Sequence, residues 1–168
     1  MGGLHAAYSL PMQFCDWVLI ACLITLVRPT QLFSEMAYFW GLGGTLQAVI
    51  TPDIAQGFPS WRFIQFFWGH GITLLCIVFI IASPGFRPRR RSVLRMMVVV
   101  NIYGLAALAV DLLFGWNYGY LRQKPAGASL FDYLGPWPWY ILSAEGLALV
   151  IFTLLYLPWK ALKLRTRS

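Results

Sequence analysis

The chain has 168 residues, of which 59% are hydrophobic and 11% are charged, and its mean hydropathy is +0.65. Soluble domains carry about 25% charged residues, so this composition excludes a water-soluble globular domain and indicates a protein whose solvent is lipid. The formal net charge of +7 is concentrated beside hydrophobic segments, which is typical of residues that set membrane topology and not of a nucleic-acid-binding face.

Five hydrophobic stretches follow one another along the chain. Each is close to the roughly 20 residues that a membrane-spanning helix needs. Backbone groups in lipid must be hydrogen-bonded within their own segment, so helices are favoured, and the alternation of a barrel strand is absent. The sequence therefore predicts an all-α, polytopic transmembrane helical bundle, a single domain over residues 1–168. Its spans are predicted near residues 11–27, 32–50, 61–82, 93–114 and 137–157.

Lysine and arginine residues are divided unevenly between the two sides of the predicted bundle. One side carries three, which are Arg62, Arg122 and Lys124. The other side carries ten, which are Arg28, Arg87, Arg89, Arg90, Arg91, Arg95, Lys160, Lys163, Arg165 and Arg167. Because cytoplasmic loops are enriched in lysine and arginine, we predict that the N-terminus lies outside and that the C-terminus is cytoplasmic.

Polar and ionisable side chains inside the spans are costly in lipid and therefore informative. With this topology most of them fall in the outer half of their helix, and only Glu35 is clearly at the inner side. The outer set consists of Gln13, Asp16, Gln47, Gln65, His70, Asp111 and Glu145, with Asn117, Tyr118, Tyr120 and Lys124 in the outer loop above them. Each one alone is typical of a hydrogen bond between helices or of contact with interfacial water. Together they predict a shared polar cavity that opens outward.

The three cysteines do not predict a disulfide framework. Cys15, Cys22 and Cys76 all lie in hydrophobic stretches and none belongs to a CxxC pair. No spacing of histidines, cysteines and carboxylates matches a metal site. We therefore predict neither a metal nor a cofactor.

One thiol and one imidazole remain as reactive groups within the spans. Cys15 and His70 lie on different predicted helices, and a thiol with a histidine base is a general arrangement for acyl transfer. Gly69 and Gly71 flank His70 and would let a substrate or a neighbouring helix approach closely. The glycines within 41–44 lie in the middle of a span and are interpreted as helix packing, not as a phosphate loop.

Three stretches of the chain resemble the YwaF-like family of bacterial membrane proteins, which is related to eukaryotic transmembrane protein 164. The first, LPMQFCD at 10–16, is similar to the family signature LPLHLCD. The second runs from YFWGLGG at 38–44 to the residues TPD at 51–53, with His70 downstream, and the third runs from Asn117 to LGPWPWY at 134–140. Together they cover nearly the whole chain. The resemblance implies a multi-pass protein of the bacterial plasma membrane.

The resemblance also implies an activity. The eukaryotic relative is described as a membrane acyltransferase that acts on phospholipids with a cysteine and a histidine, which match Cys15 and His70 of this chain. The family usually has histidine where this chain has Gln13, and glutamine cannot take up a proton. If that histidine takes part in the chemistry, this chain is altered or inactive. Family members also have hydrophobic segments before the first motif, so we expect further segments encoded upstream of Met1.

The leading hypothesis is a lipid acyltransferase in which Cys15 attacks a phospholipid ester and His70 acts as the base. The supporting residues are predicted to be Gln13, Asp16, Gln47, Asn117, Tyr118, Lys124 and Glu145. Among them, Asp16 or Glu145 would orient or charge-pair the imidazole. Gln13, Gln47 or Asn117 would stabilise an oxyanion, and Lys124 together with Arg122 would hold a lipid phosphate.

The alternative hypothesis is a small-solute or proton-coupled transporter that uses the same polar layer as its binding site. Such a protein would depend on Asp16 or Glu145 and would tolerate loss of the Cys15 thiol. The predicted partners are membrane lipids, including a lysophospholipid or an acyl donor, and no nucleic acid. The oligomeric state is left open, and an oligomer is among the options.

Overall fold

The structure is a computed structural model that describes residues 10–165, with side chains up to residue 162. Within that range the chain forms helices and turns without a strand, which confirms the predicted all-α fold. The helices are α1 (Phe14–Val27), α2 (Gln31–Trp40), a π-helix (Gly41–Thr45), α3 (Leu46–Ile50), α4 (Trp61–Ala82), α5 (Ser92–Phe114) and α6 (Trp139–Arg165). Because α2, the π-helix and α3 run on without a break, the described chain has five helical rods, as predicted. Two 3-10 turns, Tyr118–Tyr120 and Leu130–Tyr133, lie between α5 and α6.

Three helices of the described chain are long and apolar enough to cross a membrane. They are α4 with 22 residues, α5 with 23 residues and the Trp139–Leu162 part of α6 with 24 residues. α1 is also apolar but has only 14 residues. At about 1.5 Å per residue α1 reaches about 21 Å, which is less than the roughly 30 Å of a hydrocarbon core. These lengths support the predicted membrane bundle, and which end faces the cytoplasm stays a prediction.

The outer surface of the helices is as apolar as the interior. Leu75 and Phe79 of α4, Leu105 and Leu113 of α5, and Leu154 of α6 are all exposed. In water, a protein with such a surface would aggregate, whereas lipid chains solvate apolar side chains. The amphipathic stripe that marks the buried face of a soluble helix is missing from α1, α5 and α6.

The second rod lies at the centre of the bundle. Every residue from Ser34 to Trp40 is buried. α1 contributes Val18 to the same core, α4 contributes Ile77, and α6 contributes Phe152, whose ring meets that of Phe39 edge-on at 5.5 Å. A helix that is surrounded by the others has no lipid-facing side for most of its length.

Short polar side chains and one glycine set the helix boundaries. The Thr30 hydroxyl accepts a hydrogen bond from the Phe33 N–H (3.4 Å), and the Ser60 hydroxyl accepts one from the Phe63 N–H (3.3 Å). Both are N-cap interactions that satisfy an amide with no partner inside the helix. α5 ends before Gly115, whose φ of +73° is a left-handed conformation that favours glycine.

Long-range hydrogen bonds define two ends of the bundle. At the first, which we call the basic end, the side chain of Gln31 donates to the Arg87 carbonyl (3.0 Å), and the Tyr38 hydroxyl donates to the Leu155 carbonyl (2.9 Å). The link after α1, the loop after α4 and the second half of α6 therefore meet there. This end gathers the loops of the side predicted to carry ten basic residues.

The opposite end, which we call the loop end, gathers the start of α1 and the two longer connections. The Tyr103 hydroxyl of α5 donates to the Met12 carbonyl (3.0 Å). The Tyr120 hydroxyl donates to the Asp53 carboxylate (2.9 Å) and so joins the α5–α6 connection to the segment after α3. Cys15, Asp16 and most of the other side chains predicted to carry function lie at this end.

A buried ionic network holds the basic end together. Glu35 is 0% exposed, and its Oε2 lies 3.1 Å from Nη1 of Arg95. Its other oxygen accepts hydrogen bonds from the Ser92 hydroxyl (2.5 Å) and the Gln31 amide (2.5 Å). The Arg89 N–H approaches the same oxygen at 3.4 Å. α2 is thereby fastened to the start of α5.

Candidate functional site

Cys15 lies in the first turn of α1, and its neighbour Asp16 fixes that turn. The Asp16 carboxylate accepts a hydrogen bond from the Gln13 backbone N–H (3.0 Å), which is one half of a capping box. A negative charge at this position is favourable because the amino end of a helix carries a partial positive charge. The carboxylate therefore has a structural role and also stands next to the thiol.

An aromatic cluster holds the start of α1 in place. The Phe14 ring stacks on Trp40 with 4.9 Å between ring centres and meets Tyr103 at 5.7 Å, close to edge-on. The Tyr103 hydroxyl reaches past this ring to the Met12 carbonyl. The chain just before Cys15 is thus packed against α2 and α5.

The Cys15 sulfur is partly buried and has polar neighbours from three other segments. The buried Thr45 hydroxyl of the π-helix lies near it without a hydrogen-bond partner among the described residues, and the phenols of Tyr103 and Tyr120 interact with it electrostatically. The thiol therefore faces the interior of the loop end and not the lipid. The sequence prediction misses Thr45 and Tyr103, although a hydroxyl inside an apolar span is the signal that could have found them.

His70 of α4 is held by its own helix. Its Nδ1 lies 2.8 Å from the carbonyl oxygen of Phe66, and its ring stacks on the Phe66 ring at 4.0 Å. A carbonyl can only accept, so Nδ1 carries the proton, and Nε2 of the neutral ring has a lone pair. Nε2 is buried and has no hydrogen-bond partner among the described residues. This nitrogen is available as a base.

Asp16 connects the two predicted catalytic residues. It interacts electrostatically with His70 and also with the adjacent Cys15. α1 and α4 pack against each other, which brings these groups to the same end of the bundle. A carboxylate near an imidazole stabilises the imidazolium that forms when the ring takes a proton. The imidazole is oriented by its own hydrogen bond to the Phe66 carbonyl and not by one to a carboxylate.

The glycines near the site have two different roles. A Cβ at Gly44 would collide with the Phe14 ring, and one at Gly41 would collide with Ile77, which confirms that the glycines of the π-helix serve packing. A Cβ at Gly69 or Gly71 would meet no described atom within 4 Å. The glycines beside His70 are therefore not a notch for a neighbouring helix in this structure. They leave open space next to the imidazole.

The loop between α5 and α6 is clamped over the loop end. Asp53 accepts hydrogen bonds from the Tyr120 hydroxyl (2.9 Å) and from the Gly127 N–H (3.3 Å). The Tyr120 carbonyl accepts a hydrogen bond from the Tyr140 hydroxyl of α6. Tyr120 has a φ of +57°, a conformation that is uncommon for a residue with a side chain. Burial, and then the hydrogen bond to Asp53, raise the pKa of Tyr120.

The buried Asp111 organises the start of the same loop. Its carboxylate accepts a hydrogen bond from the Tyr118 N–H (2.8 Å). Arg122 donates to the carbonyls of Asp111 and Trp116, each at 3.1 Å. Burial, and then the charge of Asp111, raise the pKa of the Tyr118 phenol. Tyr118 is predicted as a supporting residue, and it lies in this loop anchor.

Other predicted supporting residues lie at the loop end or between helices, bonded to the protein itself. The Gln47 amide donates to the Thr51 hydroxyl (3.1 Å). Glu145 of α6 accepts a hydrogen bond from Asn101 of α5 (3.1 Å), so it joins two helices. These contacts are of the kind expected for polar groups that connect helices.

Asn117 and Lys124 belong to the clamped loop. The Asn117 side chain accepts hydrogen bonds from the N–H groups of Arg122 (3.0 Å) and Gln123 (3.1 Å) and donates to the Gln123 carbonyl (2.8 Å). The Lys124 ammonium lies over the Tyr140 ring, 5.6 Å from its centre. Asn117 shapes the loop, and Lys124 is placed next to the start of α6.

Cavities at the basic end were not predicted. One of about 510 Å³ has Arg87 and Arg89 in its wall, and another of about 490 Å³ is lined by arginines of the same loop. The outward cavity at the loop end stays a prediction. Within residues 10–162 no three histidine, cysteine or carboxylate side chains are grouped so that they could hold a metal ion.

The pattern of residues over most of the chain fits a known family. The model of the TMEM164 family matches residues 1–156. The chain belongs to the TMEM164 family. This membership agrees with the relation to transmembrane protein 164 that the sequence motifs indicate, and together with the apolar helices it makes the chain an integral membrane protein. No curated protein and no solved structure gives a significant match to this TMEM164-family chain.

Proposed function

We propose that this chain is a phospholipid acyltransferase of the bacterial plasma membrane, a YwaF-like member of its family, with Cys15 as nucleophile and His70 as base. The observation that carries the proposal is the state of the His70 ring. Its Nδ1–H is bonded to the Phe66 carbonyl, whereas Nε2 is buried and without a described partner. A histidine that served only structure would be expected to use both nitrogens.

The first half-reaction forms a thioester. Nε2 of His70 takes the proton of the Cys15 thiol, and the sulfur attacks the ester carbonyl of a phospholipid. The C–S bond forms and the ester C–O bond breaks. The leaving lysophospholipid oxygen receives the proton from His70. The nearby Asp16 carboxylate stabilises the imidazolium in between.

The second half-reaction returns the thiol. His70 takes the proton from the hydroxyl of an acceptor lysophospholipid, whose oxygen attacks the thioester. The new ester C–O bond forms, the C–S bond breaks, and the sulfur regains the proton. The reaction needs no cofactor, because an ester is exchanged for an ester.

Thr45 is the best-placed donor for the developing oxyanion. Its hydroxyl is buried near the Cys15 sulfur and has no hydrogen-bond partner among the described residues, so its O–H is free to donate. The predicted donors Gln47 and Asn117 are bonded to their own segments. A donor that is fixed beside the nucleophile stabilises a charge that develops there.

The acyl chain would enter from the lipid beside His70. Gly69 and Gly71 leave space on this face of α4, and Gly71 is exposed. Lys124, at the loop end, would attract the phosphate of the same lipid. Arg122 has a structural role instead, because its guanidinium is bonded to two carbonyls of the loop.

A thioester trap tests this function. The purified protein is incubated with a phospholipid that carries an alkyne-tagged acyl chain, and the labelled peptide is identified by mass spectrometry. We expect a hydroxylamine-sensitive label on Cys15, which is absent in Cys15→Ser. In His70→Ala its formation slows by roughly 10²-fold or more. Cys22→Ser and Cys76→Ser are the matched controls and should label normally.

The same experiment distinguishes the acyltransferase hypothesis from the transporter hypothesis. A transporter would acquire no acyl label from any donor lipid and would keep its function in Cys15→Ser. It would lose that function in Asp16→Asn, since a carboxylate at the start of a membrane helix, partly buried, is the expected site of a bound cation or proton. Absence of label in the folded wild-type protein, with this pattern of variants, would refute the acyltransferase.

A further inference from the structure

A second polar site lies at the basic end, remote from Cys15. It is a cavity of about 510 Å³ between the link after α1 and the loop after α4. Its polar wall includes Thr25, Ser34, Arg87 and Arg89, and its apolar wall includes Leu26 and Phe79. Thr25 is ten residues further along α1 than Cys15, which corresponds to about 15 Å. The cavity is therefore separate from the proposed acyl-transfer site.

Thr25 lines this cavity, and its hydroxyl oxygen is buried at the wall without a hydrogen-bond partner. Thr25 is 7% exposed, and its Oγ1 makes no hydrogen bond to any described residue. Thr73 in α4 and Thr153 in α6 behave differently, because each donates to the carbonyl four residues earlier, at 2.8 Å and 2.7 Å. A buried hydroxyl that forgoes this bond is unfavourable unless a ligand completes it.

The charge around the cavity is positive and not neutralised by the protein. The guanidinium groups of Arg87 and Arg89 make no hydrogen bond or ion pair to any residue in 10–162. The nearby carboxylate, that of Glu35, is already paired with Arg95. The adjoining cavity of about 490 Å³ is lined by Arg89, Arg90, Arg91 and Arg95. The site is therefore built for an anion.

The combination of guanidinium groups and a buried hydroxyl suits a phosphate, which offers several acceptor oxygens. The apolar wall indicates what is attached to it. Leu26 and Phe79 are 44% and 63% exposed on the outer surface of the bundle, where lipid chains lie. Basic pockets between membrane helices are a known mode of binding anionic headgroups. We propose that this cavity binds the phosphate of an anionic phospholipid, whose acyl chains run along Leu26 and Phe79.

Retention of lipid by the intact protein tests the proposal. The protein is reconstituted in phosphatidylcholine nanodiscs that contain a minority of phosphatidylglycerol, and the co-released lipid is measured by native mass spectrometry. We expect selective retention of phosphatidylglycerol. The double variant Arg87→Gln/Arg89→Gln should retain at least about tenfold less phosphatidylglycerol than the wild type. Thr25→Val should retain about threefold less.

The control is Arg28→Gln, which removes one arginine charge at the same end but outside the cavity wall. It should retain lipid like the wild type. Equal losses in Arg28→Gln and in the double variant would overturn the proposal in favour of unspecific attraction. Unchanged retention in both the double variant and Thr25→Val would also overturn it. Thr25→Val is nearly isosteric, so it reports on the site even if the arginine variants fold poorly.

Glycerol 3-phosphate distinguishes a lipid from a soluble phosphate ester. If the lipid is the ligand, this soluble compound at millimolar concentration should not displace phosphatidylglycerol. Efficient displacement, with no selectivity between the two lipids, would assign the cavity to a soluble phosphate ester and overturn the lipid proposal. Acyl labelling of Cys15, measured in the same variants, is expected to persist, so the two proposals fail independently.

Discussion

Glu35 of α2 and Arg95 of α5 form an ion pair of 3.1 Å in which the carboxylate is completely buried. Ser92 and Gln31 complete the coordination of the same carboxylate. In a protein surrounded by lipid, an isolated carboxylate at this position could not find water to replace a lost partner. The network is therefore a point at which a single substitution should have a large effect.

Arg95→Met should destabilise the protein strongly, because it leaves the Glu35 carboxylate buried and unpaired. Removing one partner of a buried ion pair typically lowers stability by about 3–5 kcal/mol. Thermal unfolding followed by size-exclusion chromatography measures the loss. The control Arg91→Met changes an exposed arginine of the same loop and should alter stability by less than about 0.5 kcal/mol. Adding Glu35→Gln to Arg95→Met should restore part of the stability, and equal melting of both single variants would contradict the network.

Cys15 should react with a maleimide faster than the other two cysteines. Cys15 is partly exposed and shares the loop end with His70, whereas Cys22 is 0% exposed and lies about two turns further along α1. His70→Ala should slow the labelling of Cys15 by about tenfold, because the base that takes the thiol proton is lost. Labelling is read by mass spectrometry of the cysteine peptides. An unchanged Cys15 rate in a folded His70→Ala protein would show that the imidazole does not act on this thiol.

Gly44→Ala should destabilise the bundle even though alanine favours helices. The new methyl group would collide with the Phe14 ring, which cannot move freely because it is stacked on Trp40. Overpacking of this kind lowers stability by about 1–3 kcal/mol. Gly69→Ala is the matched control, since its methyl group would meet open space and should raise stability by up to about 1 kcal/mol. The two melting temperatures should therefore move in opposite directions.

The clamp between Tyr120 and Asp53 should open in alkali. Burial and the hydrogen bond to Asp53 raise the pKa of Tyr120 above its usual value of about 10. A raised pKa in the folded state means that the protonated phenol contributes stability below about pH 10, and that this contribution is lost as the pH rises through the folded-state pKa. Proteolysis of the loop should be slow and constant at neutral pH and should accelerate above about pH 10.

Two tyrosine variants check this pH dependence. Tyr120→Phe lacks the hydrogen bond at every pH, so its loop should be cut faster at neutral pH and should show a smaller alkaline step. Loss of this hydrogen bond should lower the stability of the closed loop by about 0.5–1.5 kcal/mol. Tyr133→Phe changes an exposed phenol of the same connection and should behave like the wild type. If Tyr120→Phe shows the same alkaline increase in cleavage rate as the wild type, another titrating group is responsible.

The topology prediction rests on the basic residues alone and needs its own test. The loop after α4 and the C-terminal tail are expected in the cytoplasm because they lie on the side with ten of the basic residues. A reporter fused after Ser168 that folds only in the cytoplasm should be active. Activity of an exported reporter at this position would invert the protein and place Cys15 at the inner side.

The sequence predicts the helices of this protein well, since apolar runs of sufficient length have few alternatives in lipid. The partners of Glu35 were not predictable. Ser92 is 57 residues away along the chain, and α5 is apolar all round, so no periodicity indicates which side faces α2. The interpretation of the 41–44 glycines as packing is confirmed, but the π-helix was not foreseen, because glycines allow several helical forms.

The candidate site, too, could be predicted from the sequence only in part. The residue types at positions 15 and 70 were enough to suggest a thiol and a base, and the structure brings both to one end with Asp16. The hydrogen bond from His70 to the Phe66 carbonyl and the position of Thr45 near the sulfur depend on local backbone geometry. Gln47 and Glu145 have the residue types of a binding site, yet each is bonded to another side chain of the protein.

The π-helix shifts the helical register between the two halves of the central rod. The Leu46 N–H bonds to the Gly41 carbonyl five residues earlier, so this turn holds one residue more than an α-helical turn. Everything beyond it is rotated by roughly 100° relative to an uninterrupted α-helix. Loss of one residue among the glycines would let this turn close as an α-helical turn, so that Thr45 and its successors would keep their present faces relative to Glu35. The length of the second span can therefore differ by one residue at these glycines without moving the side chains on either side of them.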